Sequence, residues 1–345
     1  MELQHRIELL SKLMVNDNLL TVNDYENIYN FNQWFSEEFV KHSLSEWTRV
    51  LTKENISQWL SAYNIPANPH KNNTIAIIMA GNIPLVGFHD FICGFLTGVD
   101  MLIKLSSKDN VLMKLIIDKL IDMQPELSKH IKYIDSEDRH VFESSQFDAI
   151  IATGSNNTNR YFEYYFSKYS NILRKSRHSV AVLTGEESFE ELEDLADDVF
   201  LYFGLGCRNV SKIFVPQNYD FNKMGQAFQK YKHLIDNHKY SNNLIYQYAL
   251  ISMNKIVHIN FGNLLLLERN ELSSGIGILN YEFYNSLNDV KEKLDIQKNE
   301  IQCIVSRKQE VENAVIPFGK SQKPELHNYA DNIDTINFIL NTHKG

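Results

Sequence analysis

Short β-branched runs, each closed by a turn of small or polar residues and followed by a helical pattern, constrain this chain more than any other feature. Thr74 to Met79 carries no charge, as expected of a strand buried on both faces. Gly81-Asn82-Ile83-Pro84 turns the chain after it, and Pro84 suits the first position of a helix running to about Gly98. Met101 to Leu105 reads as the next strand, Phe147 to Ala152 as a third and Ser179 to Leu183 as a fourth. Later strands are expected at 261–267, 275–284 and 302–305, with helices near 221–234 and 240–254. Alternation of this kind predicts an α/β fold with a mostly parallel sheet of βαβ units.

Ahead of the first strand, residues 1 to 64 show helical periodicity around Trp34, Trp47 and Trp59, which predicts a helical segment packed on the core. Pro66 to Asn73 has the composition of a linker. A helix from about Asn157 to Tyr169 carries Tyr161, Phe162, Tyr164, Tyr165, Phe166 and Tyr169, which are expected to pack it on the sheet. Glu186 to Asp198 holds eight carboxylates in thirteen residues, with Phe189, Leu192, Leu195 and Ala196 at helical spacing. That pattern reads as the solvated face of an amphipathic helix, not as a metal cluster.

With 345 residues, 43% of them hydrophobic, the chain can form two domains with their own cores. A net charge of −9 argues against nucleic acid as a partner. Met1 to Leu20 mixes charges with its leucines, so neither a signal peptide nor a membrane span is expected and a cytoplasmic location follows. Three cysteines without a Cys-x-x-Cys pair imply neither a disulfide framework nor a metal site. Cys93 and Cys303 sit inside apolar stretches and read as core. Cys207 differs. It lies in Tyr202-Phe203-Gly204-Leu205-Gly206-Cys207-Arg208-Asn209-Val210-Ser211, just past a Gly-x-Gly hinge and just before an apolar run. A glycine-flanked thiol at the mouth of a strand can be approached closely, and neighbouring N–H groups can hold the oxyanion formed when it attacks a carbonyl.

Four separated stretches carry a resemblance that spans roughly residues 70 to 340. They are Ala80-Gly81-Asn82-Ile83-Pro84, Ile103-Lys104-Leu105-Ser106, Ala152-Thr153-Gly154-Ser155 and the Cys207 segment, in which Gly204, Cys207 and Ser211 match a Gly-x-x-Cys pattern followed by a serine. Together they resemble the aldehyde dehydrogenase superfamily, and within it the fatty acyl-CoA reductases of the bacterial-luminescence type. The resemblance implies a helical segment (1–65), a Rossmann-type NADP-binding domain (66–184), an α/β catalytic domain bearing the thiol (185–315) and a C-terminal segment near the active site (316–345). It implies reduction of an acyl-CoA or acyl-protein thioester to the aldehyde by NADPH, through a thioacyl group on Cys207, with Asn82 donating to the thioester oxygen.

For the cofactor the resemblance points to Lys104, Ser106 and Ser107 at the adenine ribose and to Thr153, Gly154 and Ser155 at the pyrophosphate. NAD-preferring relatives place a glutamate where Ser107 stands; its absence, with Lys104 and Lys108 adjacent, favours a 2′-phosphate. Where hydrolytic relatives have a water-activating glutamate ahead of Leu183-Thr184-Gly185, this chain has Val182, and Glu186 and Glu187 fall beyond the turn as poor substitutes. Glu268 and Glu271 both remain open for the nicotinamide ribose. Arg174-Lys175-Ser176-Arg177-His178 reads equally as a phosphate-reaching cluster or as a solvated one, and His89 and His178 are general bases by type only. Ile316-Pro317-Phe318-Gly319, Gln322 with Pro324, Tyr329-Ala330-Asp331 and Asp334-Thr335 match family motifs that imply a loop near the site. An aldehyde-oxidising dehydrogenase and a non-catalytic acyl-binding subunit stay open as alternatives, as do an acyl-activating protein partner and a homo-oligomer.

Overall fold

A computed structural model describes residues 1–16, 19–66, 73–134, 147–307, 311 and 315–342; six of the linker residues, 67–72, lie outside the described ones. The chain forms two compact units, Met1–Ser176 with Glu325–Gly345, and Arg177–Pro324.

The first unit opens with four helices, α1 (Leu3–Met14), α2 (Val22–Phe31), α3 (Glu37–Val50) and α4 (Lys53–Leu60). Hydroxyls of Thr21, Ser36 and Thr52 accept from backbone N–H groups of the first turns of α2, α3 and α4, so each start is written in the sequence. Then follow β1 (Thr74–Ile78), α5 (Phe88–Thr97), β2 (Asp100–Lys104), α6 (Leu112–Met123), β3 (Ile131–Tyr133), β4 (Ala149–Thr153), α7 (Asn156–Phe166) and β5 (Ser170–Arg174). The five strands are all parallel in the order β3-β2-β1-β4-β5. Alternation across the pleat divides them: Ile75, Ile77, Met101, Ile103 and Ile151 join the N-terminal helices in one core, and Ala76, Ile150 and Ala152 face Phe147 and Phe166 on the other side. The N-terminal helices thus cover one face of the sheet.

Residues from Glu325 onward complete this unit. Tyr329 accepts from Trp59 Nε1 at 3.0 Å and lies 2.8 Å from the Tyr63 hydroxyl, which donates to Asp334 at 2.8 Å. Helix Thr335–Asn341 buries Ile336 and Ile339 in the same core.

The second unit contains β6 (His178–Val182), α8 (Phe189–Phe200), β7 (Val210–Pro216), α9 (Phe221–Ala227), α10 (His238–Met253), β8 (Ile259–Asn260), β9 (Leu265–Glu268), β10 (Ile278–Tyr284), α11 (Leu287–Ile296), β11 (Ile301–Ser306) and β12 (Val315–Ile316). Its seven-stranded sheet has the order β12-β11-β6-β7-β10-β9-β8, parallel except for the β8/β9 pair. Among the described residues no helix is long and apolar enough to cross a membrane.

Several expectations need correction. Pro84 does not begin α5: the chain makes a turn with Leu85 in the left-handed region (φ 58), and the helix starts at Phe88. Of the aromatics expected on that helix, Phe162 and Phe166 on α7 and Tyr169 just past its end pack toward the sheet, but Tyr161, Tyr164 and Tyr165 are exposed, because they fall on the opposite side of the helix. Two of the eight acids around α8, Glu187 and Asp198, are buried instead of solvated. His89, a general base by type only, has a structural place: it is partly buried, its Nε2 donates to the Leu326 carbonyl at 2.8 Å, and it packs beside Trp59 and Tyr329.

Candidate active site

In the second unit the thiol loop is built from an abrupt helix end. After α8 the backbone passes through three successive left-handed residues, Tyr202 (φ 55), Phe203 (φ 57) and Gly204 (φ 72). Such a conformation is unfavourable for bulky residues, and here the two rings are buried, Phe203 against Tyr240 with centroids 5.7 Å apart. At Gly204 an added Cβ would also sit 3.3 Å from the Val199 carbonyl. Buried Asn209 holds the reversal: its Nδ2 donates to the carbonyls of Leu201 (2.8 Å) and Asp198 (3.1 Å), which α8 leaves open, and its Oδ1 accepts from Gly206 N at 2.8 Å.

Cys207 is fixed by its backbone. Its carbonyl accepts from the Ser179 hydroxyl at 2.8 Å, and the next residue, Arg208, donates from Nε to the Ser321 carbonyl at 2.5 Å. Asp198 ties the same 317–322 loop to α8, accepting from Gly319 N at 2.7 Å and Ser321 N at 2.9 Å. The loop carrying Pro317-Phe318-Gly319 therefore lies beside the thiol segment within this unit. None of the three cysteines is in a disulfide, and only Cys207 lies partly exposed. Burial pushes the thiols of Cys93 and Cys303 up, which leaves them poor nucleophiles.

Burial also pushes the Asp198 carboxyl up, to about 6 from 3.8, although three hydrogen bonds oppose the shift. Between those values the folded chain retains a proton that the unfolded chain has lost. The group's contribution to stability therefore falls as pH rises from about 4 to 6 and stays reduced above that. Relative to the parent protein, Asp198→Asn should gain up to about 3 kcal/mol between pH 4 and 7, read by urea unfolding across a pH series. A difference independent of pH would exclude this titration.

Glu187 accepts from Thr184 N (2.7 Å), Thr184 Oγ1 (2.9 Å) and Gly185 N (3.1 Å), so its carboxylate closes the turn after β6. Val182 is fully buried. Glu268 and Glu271 are both exposed, and Asn280 Nδ2 donates to the Glu271 carbonyl at 3.0 Å.

In the first unit the remaining candidates gather at the carboxyl edge of the sheet. Asn82 follows β1, Lys104 ends β2 and Thr153 ends β4. Chain order runs outward in opposite directions from the adjacent strands β1 and β4, the switch point at which open α/β sheets bind ligands. Gly81 lets the β1 and β2 turns meet, since a Cβ there would lie 2.6 Å from the side chain of Ser106. The Ser106 hydroxyl accepts from Lys108 N at 3.2 Å, and the Lys108 carbonyl accepts from Asn32 Nδ2 at 2.9 Å. Ser107 and the Lys108 side chain are exposed, and Lys104 and Ser106 are partly so. Asp109, the acid in this loop, points inward: it is buried, accepts from Leu85 N and Met113 N, and its carboxyl is pushed up to about 6 by burial. The exposed groups of the loop are therefore hydroxyls and ammoniums, a set that fits a phosphate and lacks an outward carboxylate.

Gly154 N donates to the Arg174 carbonyl at 3.2 Å, and the Ser155 hydroxyl caps α7, accepting from Thr158 N at 3.2 Å. Arg174, one reading of which placed it on a phosphate, is instead buried at the end of β5, ion-paired with Asp90 and donating to Thr335 Oγ1 at 2.9 Å. Lys175 pairs with Glu163 at the surface. Asp198, Asn209, Ser179 and the Asp90–Arg174 pair were not singled out from sequence; an asparagine two residues past the cysteine, just after a helix end, was the one available signal. Among the described residues no His, Cys, Asp and Glu cluster could hold a metal.

A five-stranded parallel sheet with a switch point, and a second α/β unit bearing a backbone-fixed thiol, define the aldehyde dehydrogenase class of fold. Solved structures agree. An aldehyde dehydrogenase 21 from Physcomitrella patens in complex with the reaction product succinate is 12% identical over 99% of this chain and 84% of its own, with a TM-score of 0.66. An aldehyde dehydrogenase from Bacillus cereus is 13% identical, with 91% and 74% covered and a TM-score of 0.65. Aldehyde dehydrogenase C from Pseudomonas syringae, in complex with NAD+ and octanal, is 12% identical, with 91% and 74% covered and a TM-score of 0.66. No curated protein is significantly similar in sequence. Residues 36–248 match the family model of the acyl-CoA reductase (LuxC) family, and the chain belongs to that family. It is accordingly an oxidoreductase of aldehyde and activated-acyl chemistry.

Proposed function

We propose that this protein reduces a fatty acyl thioester, acyl-CoA or acyl-protein, to the aldehyde with NADPH. The reading is carried by Cys207, the one partly exposed thiol, in a loop held by Ser179, Asn209 and Arg208. The Cys207 thiolate attacks the acyl carbon, the carrier thiolate leaves, and the acyl group remains on Sγ. Asn82 and the Cys207 N–H donate to the oxygen on which charge develops. NADPH held there would supply the hydride for the thioester carbon, so that the acyl group could leave Sγ as the aldehyde and Cys207 return to the thiolate. Lys104, Ser106, Ser107 and Lys108 would hold the ribose and its 2′-phosphate, and the edge formed by Thr153, Gly154 and Ser155 would meet the pyrophosphate. Water is not activated because the position that carries a glutamate in hydrolytic relatives is Val182, and Glu187 is occupied in its own turn. The NAD+ and octanal of the Pseudomonas neighbour support a nicotinamide and an aliphatic aldehyde.

Incubation with a long-chain acyl-CoA should raise the mass of the chain by one acyl group on Cys207, and NADPH should then discharge it as aldehyde. Acylation without NADPH oxidation would instead identify an acyl-binding subunit. Turnover confined to free aldehyde with NAD(P)+ would identify an oxidising dehydrogenase. A charge-assisted contact to the 2′-phosphate is worth about 1.5–3 kcal/mol, so kcat/KM with NADPH should exceed that with NADH by roughly tenfold to a hundredfold. Ser107→Glu should shrink this ratio; an unchanged ratio removes Ser107 from the ribose.

A further inference from the structure

Two turns at the carboxyl edge of the first sheet meet on one buried carboxylate. Asp109 is 3% exposed; its Oδ2 accepts from Leu85 N at 3.3 Å, and its Oδ1 accepts from Met113 N at 3.1 Å in the first turn of α6. Leu85 is the left-handed residue of the turn that follows Asn82, a conformation unfavourable for a bulky side chain unless its surroundings hold it. Gly81, on the other flank of Asn82, packs on the same acid, since a Cβ there would lie 2.9 Å from the Asp109 Cβ. In the second turn Asp109 N donates to the Ser106 carbonyl at 3.1 Å and closes the loop on which Ser107 and Lys108 are exposed. Two other buried side chains hold one turn each. Ser43 of α3 donates to the Pro84 carbonyl at 3.0 Å, and Asn32, just past α2, donates to the Lys108 carbonyl at 2.9 Å. Of the three, Asp109 alone bonds to both.

We propose that Asp109 is a positioning residue that sets the Asn82 turn and the Ser106–Lys108 loop together, so that one carboxylate fixes both the oxyanion donor and the 2′-phosphate site. The inference rests on the proposed acylation of Cys207 and on NADPH as the reductant. Asp109 acts through backbone and touches neither reactant, because it is buried on the inner side of both turns. Its charge is costly there, and burial pushes the carboxyl up to about 6. An uncharged side chain with one acceptor oxygen would satisfy Met113 N at less cost. What it could not do is accept from Leu85 N as well. The second oxygen therefore serves the turn beside Asn82, and the start of α6 does not explain it.

Two measurements separate the turns: the rate at which a long-chain acyl-CoA loads Cys207, read by intact mass without NADPH, and the affinity for NADPH, read by nicotinamide fluorescence. Asp109→Asn keeps the size and one acceptor, and should slow loading and weaken NADPH binding by about tenfold each. Ser43→Ala should slow loading alone, and Asn32→Ala should weaken NADPH binding alone. In Asn82→Ala the donor that Asp109 positions is already gone, so adding Asp109→Asn should slow loading no further. Losses that multiply in the double variant, or an Asp109→Asn chain in which either readout is unchanged, overturn the proposal. Should Asp109→Asn fail to fold, amide hydrogen exchange of the parent protein decides. The N–H groups of Leu85 and Asp109 should then open as one unit, and protection that differs by more than about tenfold between them overturns it. Failure of the functional reading looks different: the parent chain takes up no acyl group, or Asn82→Ala loads as fast as the parent, and the proposal falls with it.

Discussion

Cys207→Ser is expected to abolish acylation and aldehyde formation, by about 10³-fold or more, while leaving the fold intact. The thiolate is the nucleophile, and a serine hydroxyl, with a far higher pKa, is a much weaker one at the same place. The fold should survive because the contacts that shape the loop come from the Cys207 carbonyl, Asn209 and Arg208, none of which changes. Asn82→Ala should cost less, about 10²-fold in the acylation rate with little change in KM, the size expected when one of two oxyanion donors is lost. Intact-mass measurement after a timed exposure to acyl-CoA reads both variants. Retained turnover in Cys207→Ser would falsify the thioester mechanism, and a pure KM effect at Asn82 would make it a binding residue.

Arg174→Ala should be the most destabilising single change, by about 3–5 kcal/mol, because it leaves Asp90 as an uncompensated buried charge and removes the donor to Thr335. Arg174→Lys keeps the charge but not the second contact and should recover part of the loss. Urea unfolding read by tryptophan fluorescence is well suited to it, since Trp34, Trp47 and Trp59 all lie in the same unit. A loss below about 1 kcal/mol in the alanine variant would show that the pair is solvated and that Arg174 is free to serve elsewhere.

The apolar strands were plain in the sequence, and the polar edges were not. Thr74 to Ile78 and Ala149 to Thr153 are central strands covered on both faces, and their unbroken apolar runs announce them. Ile131–Tyr133 and Ser170–Arg174 are the two edges of the same sheet; their side chains are partly in water, so neither run announces a strand, and Arg174 reads as part of a basic cluster. Tyr161, Tyr164 and Tyr165 were assigned by residue type where phase should have decided: Phe162 and Phe166, four apart, define the inner stripe and exclude the others. At the candidate site the thiol, its glycines and the hydroxyls after β2 and β4 could be picked out because they are local motifs. Asp198 and Ser179 act through partners more than 25 residues away in sequence, and no spacing rule reports such pairs. The left-handed Tyr202 and Phe203 were beyond prediction for another reason: local preference opposes that conformation, and their buried rings and the bonds of Asn209 across the reversal hold it.

The discontinuity of the first unit bears on the order in which the chain can assemble during synthesis. Trp59 and Tyr329 are 270 residues apart, Tyr63 and Asp334 are 271 apart, and Arg174 and Thr335 are 161 apart. These bonds cannot form until the ribosome has passed residue 335, whereas every strand of the second unit is complete by residue 316. The usual sequence, in which the amino-terminal domain folds first, is therefore reversed for the last step here. Until then the core around Trp59 and His89 lacks its cover, and a nascent chain waits with that apolar surface open, the interval in which a chaperone has most to do.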